Sequence, residues 1–308
     1  MNKTPDLSVV IAGVKLRNPV IAASGTFGYG REYEGLLDIA GLGGISTKGL
    51  TLNPRAGNSG MRIHETPSGM MNSIGLENPG IAAFIKNELP RLRTLGPVVI
   101  ANLSGSTIQE YVKGARLLND SEVDMIELNI SCPNVKAGGM SFGLEPKTAA
   151  QVTRQVRKVT NKPIMVKLSP NAPNITKVAL ACIASGADAL SLVNTYKAIA
   201  IDINKRKPVF DNISAGLSRP AIRPIALRMV WELCQALKEQ KLEIPVVGMG
   251  GIASHADALE FMLAGAAAIQ VGSASFAYPP LMDEIINGIR EYMKEKGFNR
   301  ISQLSIRG

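Results

Sequence analysis

The residues able to do chemistry in this chain are few in kind, and they recur at the ends of short apolar runs. Ser24-Gly25 ends the first run, Lys48-Gly49 the second and Asn102 lies in the third. The fourth carries Asn129, with Ser131-Cys132-Pro133-Asn134 just beyond. Lys167, Asn194-Thr195, Gly250-Gly251 and Gly272-Ser273 end the other four. The set has two lysines, several amides and one thiol, almost no carboxylate and no histidine. Amides suit a neutral heterocycle with alternating donors and acceptors. Lysines suit an anion, or a reduced ring that gains negative charge. Glycines after the last two runs let backbone N–H groups approach a phosphate. Together these residues point to a phosphorylated ring cofactor above a planar, anionic ring substrate. Lys167 also fits the Schiff-base lysine of an aldolase-type barrel. Gly250-Gly251 taken alone reads equally as a tight turn.

Cys132 differs from the other two cysteines. It follows a strand pattern in a loop bounded by proline and asparagine, where a thiolate could act as base or nucleophile. Cys182 and Cys234 fall inside helical patterns and read as buried apolar thiols. His64 and His255 are isolated. His255 reads as an exposed first-turn residue and His64 as part of a long loop, so neither is assigned catalysis.

Positioning such residues on one rim requires a particular scaffold. The apolar runs are Pro19–Ser24, Gly44–Lys48, Val98–Leu103, Met125–Ser131, Ile164–Leu168, Ala189–Asn194, Val246–Gly250 and Ala268–Gly272. They are short and continuous, as strands buried on both faces require. Amphipathic segments lie between most of them. Thr148–Thr160 and Ile175–Ser185 are two, the second ending before Gly186, and Ser254 with Asp257 starts a third as a capping-box variant. Eight strands alternating with helices predict an α/β fold, a (β/α)8 TIM barrel with its site at the C-terminal strand ends. A doubly wound open sheet is the alternative. Leu7–Ala12 and Val14–Leu16 flank Gly13 and predict an N-terminal β-hairpin plugging the barrel's bottom. Two connections, Gly49 to about Asn78 and Thr195 to about Ser218, are long enough to be binding loops over the C-terminal face. No linker or repeat divides the chain, so residues 1–308 read as one domain.

Composition agrees. Hydrophobic residues are 45% of the 308, with only 5% aromatic, so the core is aliphatic. The net charge of +9 comes without a basic run or aromatic platform for nucleic acid, which leaves an acidic partner as the better use of it. RNA binding stays as a distant rival. The three cysteines form no CxxC pair, against disulfides, zinc or an internal iron–sulfur cluster. No run is long enough to span a bilayer and no signal-peptide pattern is present, so a cytoplasmic location is expected.

Several of these segments resemble class 1 dihydroorotate dehydrogenases. They are Asn129–Asn134, Asn72-Ser73-Ile74-Gly75-Leu76-Glu77-Asn78-Pro79-Gly80, Val166–Asn171 and Gly248–Ile252, in the family's order. Glu65–Asn72 resembles the NAD-linked subclass, class 1B, more than the fumarate-using one, a homodimer that remains the runner-up. The resemblance implies an enzyme of pyrimidine (UMP) biosynthesis that oxidises (S)-dihydroorotate to orotate, with Cys132 as base. It implies FMN held by Ser24, Lys48, Gly49, Asn102, Asn129, Lys167, Val193, Gly250, Gly251, Gly272 and Ser273. It implies substrate held by Lys48, Asn72, Ser73, Ile74, Gly75, Leu76, Asn129, Asn194 and Thr195, with Asn134 nearby. It further implies a partner subunit carrying FAD and a [2Fe–2S] centre, in a heterotetramer built on a dimer of this chain. No Gly-x-Gly-x-x-Gly dinucleotide fingerprint occurs here, in keeping with a separate electron-transfer subunit. One position departs from the pattern: Gly216-Leu217-Ser218-Arg219-Pro220 has arginine where the family usually has glycine. Either Arg219 points away from FMN, or it meets the flavin phosphate or the loop above.

Overall fold

A computed structural model describes residues 4–131 and 142–304. Eight parallel strands close into a barrel: β1 Val20–Ala22, β2 Gly44–Ser46, β3 Val98–Leu103, β4 Met125–Asn129, β5 Ile164–Lys167, β6 Ala189–Leu192, β7 Val246–Met249 and β8 Ala268–Val271. Each pairs with its sequence neighbours, and β8 returns to β1 through Ile269↔Val20 and Gln270↔Ile21. Closure excludes the open doubly wound sheet. Apart from Val98, every residue of these strands is buried, which is why they read as unbroken apolar runs rather than alternating ones.

The helices are α1 Ile81–Asn87, α2 Leu89–Leu95, α3 Ile108–Asn119, α4 Pro146–Arg157, α5 Ile175–Ile183, α6 Arg223–Glu239, α7 His255–Leu263 and α8 Leu281–Glu295. Their starts are chemically marked. Thr107, Asn174 and Ser254 each accept a hydrogen bond from the backbone N–H three residues on, and such caps are worth about 1 kcal/mol each. Asp257 reaches back to the Ala253 N–H, one residue before the cap. No α-helix joins β1 to β2. Two single-turn 3-10 helices stand there instead, Arg31–Tyr33 and Ile39–Gly41. Gly28, Gly30 and Gly35 in this connection all take positive φ, which a continuing helix does not allow.

The N-terminal hairpin forms from Val9–Ile11 and Val14–Leu16, turned at Ala12-Gly13, both with positive φ as a tight hairpin turn demands. Ile11 and Leu16 are buried, and Val10 and Ala12 line a groove with Ala187, Val246 and Gly265. Those neighbours lie at the starts of β6 to β8, so the hairpin sits at the barrel's N-terminal end.

The two long connections do not act separately. Ile63–Thr66 and Gly69–Asn72 from the first join Ser214–Ser218 and Tyr196–Ile199 from the second in one four-stranded antiparallel sheet. The join pairs Met71 with Leu217 and Met70 with Ser218. Met71, Phe210 and Ala215 form a small apolar cluster of their own within this roof.

Candidate active site at the C-terminal barrel mouth

Beneath the roof sheet, the C-terminal strand ends surround a pocket. Ser24 and Gly272-Ser273 come from the loops after β1 and β8, Lys48-Gly49 from that after β2, and Asn129 and Lys167 from the ends of β4 and β5. Val193, Asn194 and Thr195 follow β6, and Gly250-Gly251 follow β7. From the roof connection come Asn72, Ile74, Gly75 and Leu76. Residues read from the sequence as one rim therefore do share one cavity. Two do not line it. Asn102 is fully buried beneath it, and Ser73 faces the loop scaffold, where its hydroxyl meets Asn58 and Asn212. Cys132 and Asn134 lie outside the described residues.

The polar floor is one connected chain of hydrogen bonds. Asn194 Nδ2 donates to Ser131 Oγ at 2.5 Å, and Ser131 Oγ donates to Asn129 Oδ1 at 2.7 Å. Asn129 Nδ2 donates to Asn102 Oδ1 at 3.2 Å, and Asn102 Nδ2 to Glu127 Oε2 at 2.6 Å. Glu127 also accepts from Ser46 Oγ at 2.7 Å, Ser191 Oγ at 2.8 Å and Gln270 Nε2 at 2.7 Å. A carboxylate only accepts, so it dictates which way each amide in this chain faces. Burial pushes the Glu127 carboxyl up. The Lys167 charge and the Ser46, Asn102 and Ser191 hydrogen bonds outweigh that and hold it below the ordinary carboxylate range.

Sequence reading missed Glu127. It sits within Met125–Asn129 like one more member of an apolar run, and its partners come from four strands with no local spacing in common. Sequence reading also missed Glu77, which belongs to the Asn72–Gly80 segment. Its carboxylate pairs with Arg62 and lies 3.8 Å from Lys48 Nζ. The Arg62 hydrogen bond, then the Lys48 and Arg62 charges, hold Glu77 below its usual value.

The pocket's chemistry fits an anionic, hydrogen-bonding ring ligand. Gln270 Oε1 is buried and has no partner among the described residues, with its amide turned that way by Glu127. Lys167 is 5% exposed and makes no ion pair within 4 Å among the described residues. Gly250 and Gly251 have φ of 126° and 79°, and a Cβ on Gly251 would come 2.8 Å from Arg219 O. At Gly272 the reverse holds: a Cβ there would meet nothing closer than 3.6 Å. The backbone there is open on the pocket side, which fits a ligand lying against it.

Arg219 lines the same pocket, at φ 73° and ψ −171°. Its Nη1 stands 3.6 Å from Glu65 Oε1 on the roof sheet, and its Nε is buried without a partner among the described residues. Of the alternatives open in the sequence, the contact made here is with the loop above. The remaining singled-out residues fall out as structural. His64 packs edge-on against Phe210, and His255 is exposed at the start of α7. Burial pushes the Cys182 and Cys234 thiols up to about 11 and about 12, which keeps them protonated and inert.

A parallel α/β barrel with an anion-suited mouth, amide-lined floor and strand-end lysines is what the fold and the pocket define. The dihydroorotate dehydrogenase family model matches residues 6–293. The chain is 56% identical over 299 residues, 97% of its length, to the dihydroorotate dehydrogenase B (NAD(+)) catalytic subunit of Petrotoga mobilis, covering 98% of that protein. It is 53% identical over 301 residues to the subunit of the same name from Geotalea uraniireducens and 52% over 299 to that of Thermoanaerobacter pseudethanolicus, covering 97% of either protein and 97% of this chain. The chain belongs to the dihydroorotate dehydrogenase family.

Proposed function

We propose that this chain is the FMN-bearing catalytic subunit of an NAD-linked dihydroorotate dehydrogenase. It oxidises (S)-dihydroorotate to orotate in pyrimidine biosynthesis and passes the electrons to NAD through a partner subunit carrying FAD and [2Fe–2S]. The observation that carries this reading is the single pocket gathering both strand-end lysines, the phosphate-suited glycines and the amides of Asn72, Asn129 and Asn194. The printed names of the relatives support the NAD-linked assignment over a fumarate-using homodimer.

FMN, when bound, supplies the acceptor for a hydride leaving C6 of the substrate. Backbone N–H groups of Gly250, Gly251 and Gly272, with Ser24 and Ser273, would hold it, the glycines at its phosphate. Lys167 balances negative charge gained by the ring. Lys48 faces the substrate carboxylate, with Glu77 fixing its ammonium. Asn72, Asn129 and Asn194 read the pyrimidine edge and set the distance between reacting atoms, where misplacement by about 1 Å costs on the order of 100-fold. Cys132 removes the C5 proton. Ser131, the residue before it in the chain, is buried and held on both sides by Asn129 and Asn194.

Residues 1–308 act as one domain in the cytoplasm on this reading. Among the described residues, no helix is long and apolar enough to cross a membrane. The chain forms a dimer within a heterotetramer. The test of the function is direct. The purified chain should be yellow, and anaerobic dihydroorotate should bleach its flavin absorbance. A colourless protein that takes up no FMN would refute the proposal.

A further inference from the structure

The most strongly held side chain near the pocket belongs to a residue with no role in the chemistry above. Glu127 is 0% exposed and collects hydrogen bonds from four strands, β2, β3, β6 and β8. One of its donors, Gln270, lines the pocket directly, so the carboxylate lies one side chain below the floor. Its electrostatic counterpart, Lys167, lines the pocket too, yet no ion pair within 4 Å joins the two. A structural carboxylate would be expected to close a direct pair with the nearest cation, because a buried charge is costly unless well matched. Here the negative charge is satisfied by neutral donors instead. That leaves the lysine ammonium free to face an occupant, while a permanent counter-field stays behind it.

We propose that Glu127 is a positioning residue that sets the redox poise of the pocket. It fixes the donor and acceptor ends of Asn102 and Gln270, and its fixed negative charge opposes the stabilisation that Lys167 gives a reduced, anionic ring. The inference rests on the flavin reading of the pocket. Charges act strongly at this depth because the surroundings screen them poorly. The balance of Glu127 and Lys167, rather than Lys167 alone, then decides how readily the bound ring takes up electrons. A ring held too low in energy when reduced would accept the hydride readily and give electrons onward poorly.

The experiment compares FMN-loaded wild type with Glu127→Gln and Ser191→Ala by anaerobic dye-equilibrated reduction. Glu127→Gln should move the equilibrium toward reduced flavin by about tenfold or more, about 30 mV upward for a two-electron couple. Ser191→Ala removes one hydrogen bond but keeps the charge, so it should lower thermal stability and leave the potential in place. Should Glu127→Gln fail to fold, Glu127→Met/Ser46→Ala/Ser191→Ala, compared with Ser46→Ala/Ser191→Ala, isolates the same charge and keeps Lys167, since replacing a buried acceptor together with its donors by apolar groups is often tolerated. An unchanged or lowered potential on removing the carboxylate would overturn the proposal, leaving Glu127 a purely structural group. If wild type binds no flavin, it is the functional reading that fails.

Discussion

Asn194 and Ser131 are joined by a 2.5 Å hydrogen bond between the loops after β6 and β4. The bond ties the residue preceding Cys132 to an amide of the pocket wall, and Asn129 holds the same hydroxyl from the other side at 2.7 Å. The chain therefore enters the Cys132 segment from a fixed point.

From this follows the expectation for Cys132→Ser. Serine keeps the shape but is far harder to deprotonate at neutral pH. Flavin reduction by dihydroorotate should slow at least 100-fold, about 2.7 kcal/mol of lost transition-state stabilisation, while FMN stays bound. Stopped-flow absorbance measures it. Rates close to wild type at pH 7 would remove Cys132 from the mechanism.

Lys167→Ala should lose FMN or hold a flavin that is hard to reduce. The variant removes the pocket's buried ammonium and leaves the Glu127 charge without a counter-charge. Full flavin occupancy together with an unchanged reduction rate would show the assignment to be mistaken.

The Glu127 network also predicts how stability responds to acid. Its folded-state carboxyl is held below the ordinary range, so its stabilising contribution is complete above the unfolded value of about 4.3. That contribution is lost as pH falls through the folded value. Ser191→Ala should cost about 1.5–3 kcal/mol at pH 7, as loss of a hydrogen bond to a charged group does. The difference from wild type should narrow in strong acid. Urea denaturation at pH 7 and at steps into acid tests both, and a deficit well under about 1.5 kcal/mol at pH 7, or one that widens as pH falls, would contradict the ionised carboxylate.

Arg219 offers a test of strain. Its φ of 73° with ψ of −171° belongs to a region nearly exclusive to glycine, at a cost on the order of 1–3 kcal/mol. The compensating pair with exposed Glu65 is worth little. Arg219→Gly should raise stability by about 1 kcal/mol, read as a higher urea midpoint at unchanged slope. A lower midpoint would mean the guanidinium contributes more to the roof than its contacts indicate.

Electron delivery gives the last prediction. Alone, the chain should reduce its own FMN with dihydroorotate but form NADH only with its co-expressed partner subunit. The net charge of +9 would help steer an acidic partner, so docking should weaken as salt screens charges beyond about 8 Å at physiological ionic strength. Robust NADH formation by the isolated chain would sink the two-subunit arrangement.

Much of this was legible in the sequence because buried parallel strands leave a one-dimensional trace. All eight runs are barrel strands, though several were drawn one or two residues long at their C-terminal ends, as with Ser131 and Asn194. Beyond the strand ends the side chains turn to each other: Ser131 is buried and bonds through its hydroxyl to Asn129, and Asn194, half-buried, adds a side-chain bond to Ser131. The roof was legible only as two long loops, since pairing Met70 with Ser218 has no local signature. Glu127 was hidden for a similar reason: its neighbours in sequence are apolar, and its neighbours in space come from the whole circumference of the barrel. The helix-free link between β1 and β2 was not read from the sequence, although Gly25, Gly28, Gly30 and Gly35 fall in it.

The roof sheet carries a consequence for how the protein comes to be active. Its central seam joins residues 148 apart in the chain, as the Ser218 hydroxyl bonded to the Met70 carbonyl marks. Closing so large a loop is entropically slow to begin and is rewarded only once both flanks are in place. During synthesis the first hairpin must wait, unpaired along one edge, until the stretch after β6 has emerged. Gly250-Gly251 and Gly272-Ser273 follow later still. A truncated or half-made chain can thus own most of the barrel wall and still lack both the roof and the loops after β7 and β8, so a complete pocket reports that these late stretches have arrived.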